Sequence, residues 1–272
     1  MAVPATSATA QVRPDPGQVL WAVAGACWLL LVGLAMLPLG LAHQHSEITP
    51  GPSSQGWVPV LATFAGAGLL MVAAMMLPTM VPIVRMFGLV TARVEHPAGV
   101  RAAFWAAYFA VWLCFAGLAL AGDASAHAAI EASDWLRLRD GLFLAGALGL
   151  AGVVQFTPHT RRCLRACRDP RAFLFQHYRR GLAASWALGV RHGLSCVGCY
   201  WGLMLVMFAF GVGNLWWMVV LTAVMVVENR ARRGTRLVAP VGVAMLAAAV
   251  WLGLSELFWP TADGVIVPAD HH

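Results

Sequence analysis

The sequence predicts an all-α protein, a polytopic bundle of transmembrane helices with its N-terminus inside the cell. Hydrophobic residues make up 60% of the 272 residues and charged residues only 11%, whereas soluble domains carry roughly 25% charged residues. Apolar segments of membrane-spanning length recur along the chain, and arginines are concentrated in alternate connections between them. Composition, segment length and charge distribution therefore all indicate a multi-pass protein of the cell inner (plasma) membrane.

Seven apolar segments are long enough to cross roughly 30 Å of hydrocarbon as helices. They lie near residues 19–42, 57–77, 102–122, 140–156, 183–210, 214–228 and 238–257. The segment 214–228 is short and follows closely on the one before it. We therefore expect about seven spans, with a re-entrant segment and a total of six as the alternative.

The predicted organisation is one helical membrane domain between two tails. Residues 1–18 are rich in Pro, Ala, Ser and Thr, which is typical of a disordered cytoplasmic tail. Residues 19–258 form the transmembrane domain, which includes an arginine-rich cytoplasmic loop at 157–182, and residues 259–272 form an extracytoplasmic tail. The first span is long for a signal peptide, so we expect an uncleaved anchor, although Gly40-Leu41-Ala42 would also suit cleavage.

The basic residues orient the chain, and all 18 of them are arginine. They cluster in the connections around 85–101, 161–180 and 230–236, which the positive-inside bias places in the cytoplasm. The alternate connections and the C-terminus are acidic and poor in arginine, which is typical of the outer side. Because the arginines are distributed between spans, the net charge of +6 reflects topology, and nucleic acid is not an expected partner.

The fifth apolar segment contains the stretch RHGLSCVGCYWGLM, residues 191–204. On a helix His192, Cys196 and Cys199 stand at i, i+4 and i+7, within about 60° of one another. His192 follows the start of this segment by about ten residues, which predicts a depth of ~15 Å, near the bilayer centre. Polar groups there are costly, and thiolate with imidazole is a ligand set for soft metals. Arg191 could balance their charge, reach toward the cytoplasm or pair with Glu228.

The second segment offers sulfur at a similar depth. Met75 and Met76 lie roughly 15 Å from the cytoplasmic edge marked by Arg85. Pro78 and Pro82 each remove a backbone donor, so we expect a kink or local unwinding. Methionine is also a common packing residue in apolar helices. A pocket that combines Met, Cys and His favours Cu(I) over zinc or magnesium.

A second cysteine pair lies in the arginine-rich connection, where His159, Cys163 and Cys167 recur at a spacing of four residues. If the segment is helical these side chains share a face, and nearby arginines favour the thiolates that bind metal. The alternative is an amphipathic helix lying on anionic headgroups. On the outer side, His43 and His45 could receive or release a metal ion.

Four stretches make the chain resemble the predicted metal-binding integral membrane proteins, a bacterial family linked to copper-chaperone activity. They are AMMLPTMVPIVRMF (74–87), TPHTRRCLRACRDPRAF (157–173), GLSCVGCYWGLM (193–204), and FGVGNLWWM with the downstream Glu228. The resemblance covers roughly the last 200 residues. It implies metal-handling roles for Met75, Met76, Cys163, Cys167, Cys196 and Cys199. Family members often have a third cysteine where this chain has Tyr200, so His192 or a methionine could replace that ligand.

The sequence thus predicts a non-enzymatic membrane protein that binds Cu(I) and hands it to a cuproprotein acceptor. Its intramembrane site would combine cysteine, histidine and methionine, and a cytoplasmic metal donor is implied. The alternative is a membrane thiol-disulfide oxidoreductase in which Cys196 and Cys199 cycle between dithiol and disulfide. The depth of the pair, away from any partner disulfide, favours the metal-binding interpretation.

Overall fold

A computed structural model describes residues 15–36, 57–132, 141–210 and 214–258 of the chain. The described residues are helices joined by short connections, with no strand among them, which confirms the all-α class. The elements are α1 (Pro16–Met36), α2 (Trp57–Val90), α3 (Pro97–Glu131), α4 (Gly141–Gln155), α5 (Pro158–Arg168), α6 (Pro170–His177), α7 (Leu182–Ala209), α8 (Leu215–Arg230), a short 3-10 turn (Gly234–Arg236) and α9 (Val238–Phe258). Residues 1–14 and 259–272 of the predicted tails, and the outer His43 and His45, lie outside the described residues.

Each predicted span coincides with one helix, but the helices differ in length and hydropathy. Four described helical stretches are long and apolar enough to cross one: Pro16–Met36, Ala65–Val90, Pro97–Ala126 and Gly234–Phe258. A fifth arises if α4 and α5, which meet at a 68° bend, count as one broken span. Neither α7 nor the 16-residue α8 is among them. The count of seven spans and the inside N-terminus therefore stay predictions.

Helix α7 is the centre of the packing. It contacts α3 along one side, α4 and α5 along another, and α8. Outside this core, α1 packs on α2, α2 packs on α3 and α8, and α9 packs on α4. The functional side chains predicted on α7 are therefore surrounded by other helices.

Three glycines of α7 allow this close packing. A Cβ at Gly189 would collide with the carbonyl oxygen of Phe104 in α3, and one at Gly193 would lie 3.0 Å from Val111 Cβ. On the other side, a Cβ at Gly198 would lie 2.7 Å from Cys163 Sγ in α5. Gly189 and Gly198 are nine residues apart, which at 3.6 residues per turn places them on opposite faces of the helix. Small residues at spacing four let backbones approach closely in this way.

Helix α2 stays helical through both prolines, so of the two predicted outcomes, a kink or local unwinding, the unwinding does not occur. Pro78 and Pro82 have no N–H to donate to the carbonyls four residues earlier, those of Ala74 and Pro78. Other helices supply the missing donors. Trp28 Nε1 of α1 donates to Ala74 O at 3.1 Å, and Arg230 Nη1 of α8 donates to Pro78 O at 3.3 Å. The two prolines thus fix α2 to its neighbours.

The arginine-rich connection is two short helices with clear starts. Thr157 caps α5 by accepting from Thr160 N, and Asp169 caps α6 by accepting from Ala172 N. A proline follows each cap, at the position where a missing N–H costs nothing. The chain then enters α7 through Gly181, whose φ of 107° favours glycine.

Substituting Gly189 with alanine should destabilise the protein, because the new methyl group would meet the backbone of α3. We expect a loss of about 1–3 kcal/mol, typical of overpacking. The control is Gly117→Ala in α3, where a Cβ has nothing within 4 Å and helix propensity improves by up to ~1 kcal/mol. Thermal unfolding in detergent measures both. Equal midpoints for the two variants would contradict the close approach of α3 and α7.

Candidate metal centre

The predicted stripe on α7 exists and faces the interior. His192, Cys196 and Cys199 are each at most 3% exposed. The stripe lies between the two glycine faces of the helix, so α2, α3, α5 and α6 can all reach it. All cysteines of the described residues are free thiols.

Helix α2 meets this stripe through two methionines. Met80 Sδ lies 3.1 Å from His192 Nε2, and Met76 Sδ lies 3.9 Å from Cys196 Sγ. The partners are separated by four residues on each helix, and the order is reversed, as expected for antiparallel neighbours. Met75 is buried as well, but its sulfur makes no such contact within the described residues. Of the two predicted methionines, only Met76 reaches the stripe.

Two further side chains complete the surroundings of Cys196. Tyr108 Oη of α3 lies 3.4 Å from Cys196 Sγ, and the glycine contacts between α3 and α7 bring it there. Rings of Phe104, Tyr108 and Phe173 surround His192, with centroids 5.2 to 6.2 Å from the imidazole. His192 Nδ1 has no hydrogen-bond partner among the described residues.

The arginine-rich connection contributes a thiol to the same interior. Cys167 in α5 is buried, and its sulfur lies 3.8 Å from Cys199 Sγ. Cys199 Sγ in turn donates to the carbonyl of Cys196 at 3.2 Å. Helix α5 is amphipathic: it packs its apolar face on α7 and leaves Arg161, Arg162 and Arg165 exposed.

Cys163, the other predicted cysteine of this connection, lies closer to the surface. Cys163 Sγ is 3.5 Å from His159 Nε2, and both atoms lie over Gly198. Exposure falls along α5: His159 is exposed, Cys163 is intermediate and Cys167 is buried. Three potential ligands on one helix face therefore lead from the surface to the sulfur-rich interior.

The ligands form a series of pairs. Turns of a helix are about 5.4 Å apart, so His192 with Met80 and Cys196 with Met76 occupy successive levels. Within the described residues, no three His, Cys, Asp or Glu side chains converge closely enough to hold a metal ion by themselves. The sulfur pairs have a suitable spacing, because two sulfurs that are each about 2.3 Å from a tetrahedral ion stand roughly 3.8 Å apart. A thioether or a small shift of one thiol would complete a soft-metal site.

Arg191 does not pair with Glu228, which was one of its predicted roles. Its side chain is exposed and lines a cavity beside α5 and α6. Glu228 is buried, and its carboxylate accepts from Gln155 Nε2 at 3.3 Å. Arg168 of α5 donates to the carbonyls of Glu228 and Ala231, which ties α5 to the end of α8.

The sequence interpretation missed Met80 and Tyr108 as neighbours of the site. Met80 follows Met76 by one helical turn, as Cys196 follows His192, so the two matched spacings were a usable signal. Nothing in the sequence pointed to Tyr108. The interpretation also separated Cys167 from the intramembrane pair, whereas the structure brings Cys167 and Cys199 together.

Comparison with known protein families agrees with the predicted chemistry. A family model described as "PpoB2: Copper chaperone" matches residues 65–252, which is more than half of the chain. The chain belongs to the PpoB2 copper chaperone family. All the ligand pairs described above lie within the matched residues, since they fall between Met76 and Cys199. No curated protein and no solved structure matches the chain.

The exposure gradient along α5 predicts an order of thiol reactivity. A membrane-impermeant maleimide should label Cys163 in the folded protein, whereas Cys167, Cys196 and Cys199 should react only after unfolding. In inverted membrane vesicles the label should reach Cys163, and in intact cells it should not, because arginine-rich connections lie inside. Mass spectrometry locates the label, and Cys163→Ser is the control. Labelling of Cys196 before Cys163, or labelling of Cys163 from outside, would contradict this arrangement.

Proposed function

We propose that this copper-chaperone family member is a multi-pass protein of the bacterial inner membrane that binds Cu(I) in its interior and delivers it to a cuproprotein. The observation that carries the proposal is the convergence of soft ligands from three helices. The sulfurs of Cys167 in α5 and Cys199 in α7 are 3.8 Å apart, and those of Met76 in α2 and Cys196 in α7 are 3.9 Å apart. Thiolates and thioethers together favour Cu(I), since a thioether adds little for zinc.

The site lies toward the arginine-rich end of the bundle. Met80 is two residues from Pro78, whose carbonyl accepts from Arg230, and His192 packs against Phe173 in α6. In a membrane oriented by its arginines this end faces the cytoplasm. A site near the cytoplasmic face suits a protein that receives copper from a cytoplasmic donor.

The series of pairs provides a route for the ion. Cu(I) would first meet His159 and Cys163 at the surface, pass to Cys167 and Cys199, and then reach Cys196 and Met76. Each step exchanges one soft ligand for another about one helical turn away, so the ion need never be free. The pair formed by His192 and Met80 lies one helical turn from Cys196 and Met76. We expect no catalysis, because binding and handover account for these groups.

One observation also supports the alternative, a thiol-disulfide oxidoreductase. The Cys167 and Cys199 thiols on different helices could form a disulfide after a modest approach from 3.8 Å to the ~2.05 Å of an S–S bond. However, redox pairs must reach a partner's disulfide, and both of these thiols are buried. The oxidoreductase interpretation also gives Met76 no role. We therefore favour copper binding.

Copper binding by purified variants tests the proposal. Cys196→Ser combined with Cys199→Ser should abolish stoichiometric Cu(I) binding under reducing, anaerobic conditions. Cys167→Ser and Met76→Leu should each weaken it by about tenfold or more, or ~1.4 kcal/mol, because each removes one soft ligand. A competition titration against a Cu(I) chelator measures the affinities.

Two matched controls separate ligation from packing. Met75→Leu changes an equally buried methionine that makes no ligand contact. Cys114→Ser removes an exposed thiol of α3 that contacts none of the ligand pairs within the described residues. Both should keep wild-type affinity, since leucine nearly conserves the volume of methionine. Unchanged copper affinity in the double serine variant would refute the proposal. In that case, reversible oxidation of Cys167 and Cys199 would support the oxidoreductase instead.

A further inference from the structure

A cavity of about 750 Å³ opens between the α5–α6 connection and α7. Its walls include Arg165 and Arg168 of α5, Phe173 of α6, and Arg191 and Ser195 of α7. This volume falls in the range of small-molecule sites, roughly 300 to 1,000 Å³. The described residues place no ligand of the copper pairs directly in its wall, so the cavity is separate from the metal centre.

The cavity is strongly electropositive. Three arginines face one carboxylate, that of Asp169, which already caps α6 by accepting from Ala172 N. Arg168 is held in place by the carbonyls of Glu228 and Ala231, which do not neutralise its charge. Arg165 and Arg191 are exposed, and their guanidinium groups make no ion pair or hydrogen bond within the described residues. Converging unpaired guanidiniums are suited to bidentate binding of carboxylate or phosphate.

The cavity is also adjacent to the copper ligands. Ala166 and Arg168 in its wall flank Cys167 in the sequence, and Ser195 precedes Cys196. Phe173 forms part of the wall and packs edge-on against His192, with a centroid distance of 5.2 Å. An anion bound by the arginines would therefore lie against the same two helices, α5 and α7, that carry the cysteine ligands.

We propose that this cavity binds a small anionic thiol that carries Cu(I), with its carboxylates on Arg165 and Arg191. This inference rests on the proposed copper function and identifies the chemical class of the donor. Transfer is a ligand exchange: the bond from Cu(I) to the donor sulfur breaks as a bond to Cys163 Sγ, the accessible thiol of α5, forms. The proton of the Cys163 thiol passes to the released donor thiolate. Copper stays Cu(I), and no oxidant or reductant takes part.

Calorimetric titration of the full chain in detergent with copper-free reduced glutathione tests the binding step. Wild-type protein should bind it, and Arg165→Gln with Arg191→Gln should weaken binding at least tenfold. The matched control is Arg161→Gln with Arg162→Gln, which removes the same charge from exposed positions of α5 outside the cavity. Ala172→Trp, which fills the cavity without changing its charge, should also block binding. Absence of wild-type binding, or equal weakening in the control pair, would overturn the proposal.

Two competition experiments identify the class of anion that the cavity binds. Inorganic phosphate and phosphatidylglycerol nanodiscs should compete weakly with glutathione. If either displaces it fully at low concentration, the cavity is a phosphate or lipid-headgroup site, and the thiol-donor proposal is wrong.

The double serine variant distinguishes failure of the donor site from failure of the copper function. Cys196→Ser with Cys199→Ser should still bind copper-free glutathione, because the arginines are intact. If wild-type protein binds chelated Cu(I) but not glutathione, the donor site is refuted and the copper function stands. If glutathione binds but wild-type protein takes up no copper from any donor, the copper function is refuted.

Discussion

The close approach of α3 and α5 to α7 is the constraint on which the site depends. Gly189 and Gly193 admit α3 on one face, and Gly198 admits α5 on the opposite face. Because these positions carry no side chain, α3 can place Tyr108 next to Cys196, and α5 can place Cys163 and Cys167 against α7. Close backbone contact of this kind adds van der Waals attraction between the helices. The same glycines therefore stabilise the bundle and position the sulfur atoms.

The second constraint is the pair of prolines in α2. They leave the carbonyls of Ala74 and Pro78 without helical partners, and Trp28 and Arg230 donate to these two atoms from α1 and α8. Met76 lies between the two anchored carbonyls in the sequence, and Met80 lies two residues after the second. Because an unpaired carbonyl in an apolar interior is costly, the anchors restrict how α2 can slide. The methionines are thereby held in register with Cys196 and His192.

The sequence was sufficient for the class of fold, the positions of the long helices and the stripe on α7, because these follow from hydropathy and helical period. It was also sufficient for copper as the element, through the family resemblance. It could not pair Met80 with His192 or Cys167 with Cys199, since these pairings depend on the register of α2 and on the path of α5 and α6. Loop segments with arginines suggested a surface position, yet α5 packs its Cys167 face against α7. Local patterns identify ligands, but tertiary packing decides which ligands meet.

X-ray absorption spectroscopy of the Cu(I)-loaded protein, prepared with selenomethionine, tests the central claim most directly. The account predicts a first coordination shell dominated by sulfur from Cys167, Cys196 and Cys199, with an additional copper–selenium contribution from residue 76. That contribution should vanish in Met76→Leu and persist in Met75→Leu. A shell made mainly of nitrogen and oxygen, or a copper–selenium signal that survives Met76→Leu, would contradict the site described for this protein.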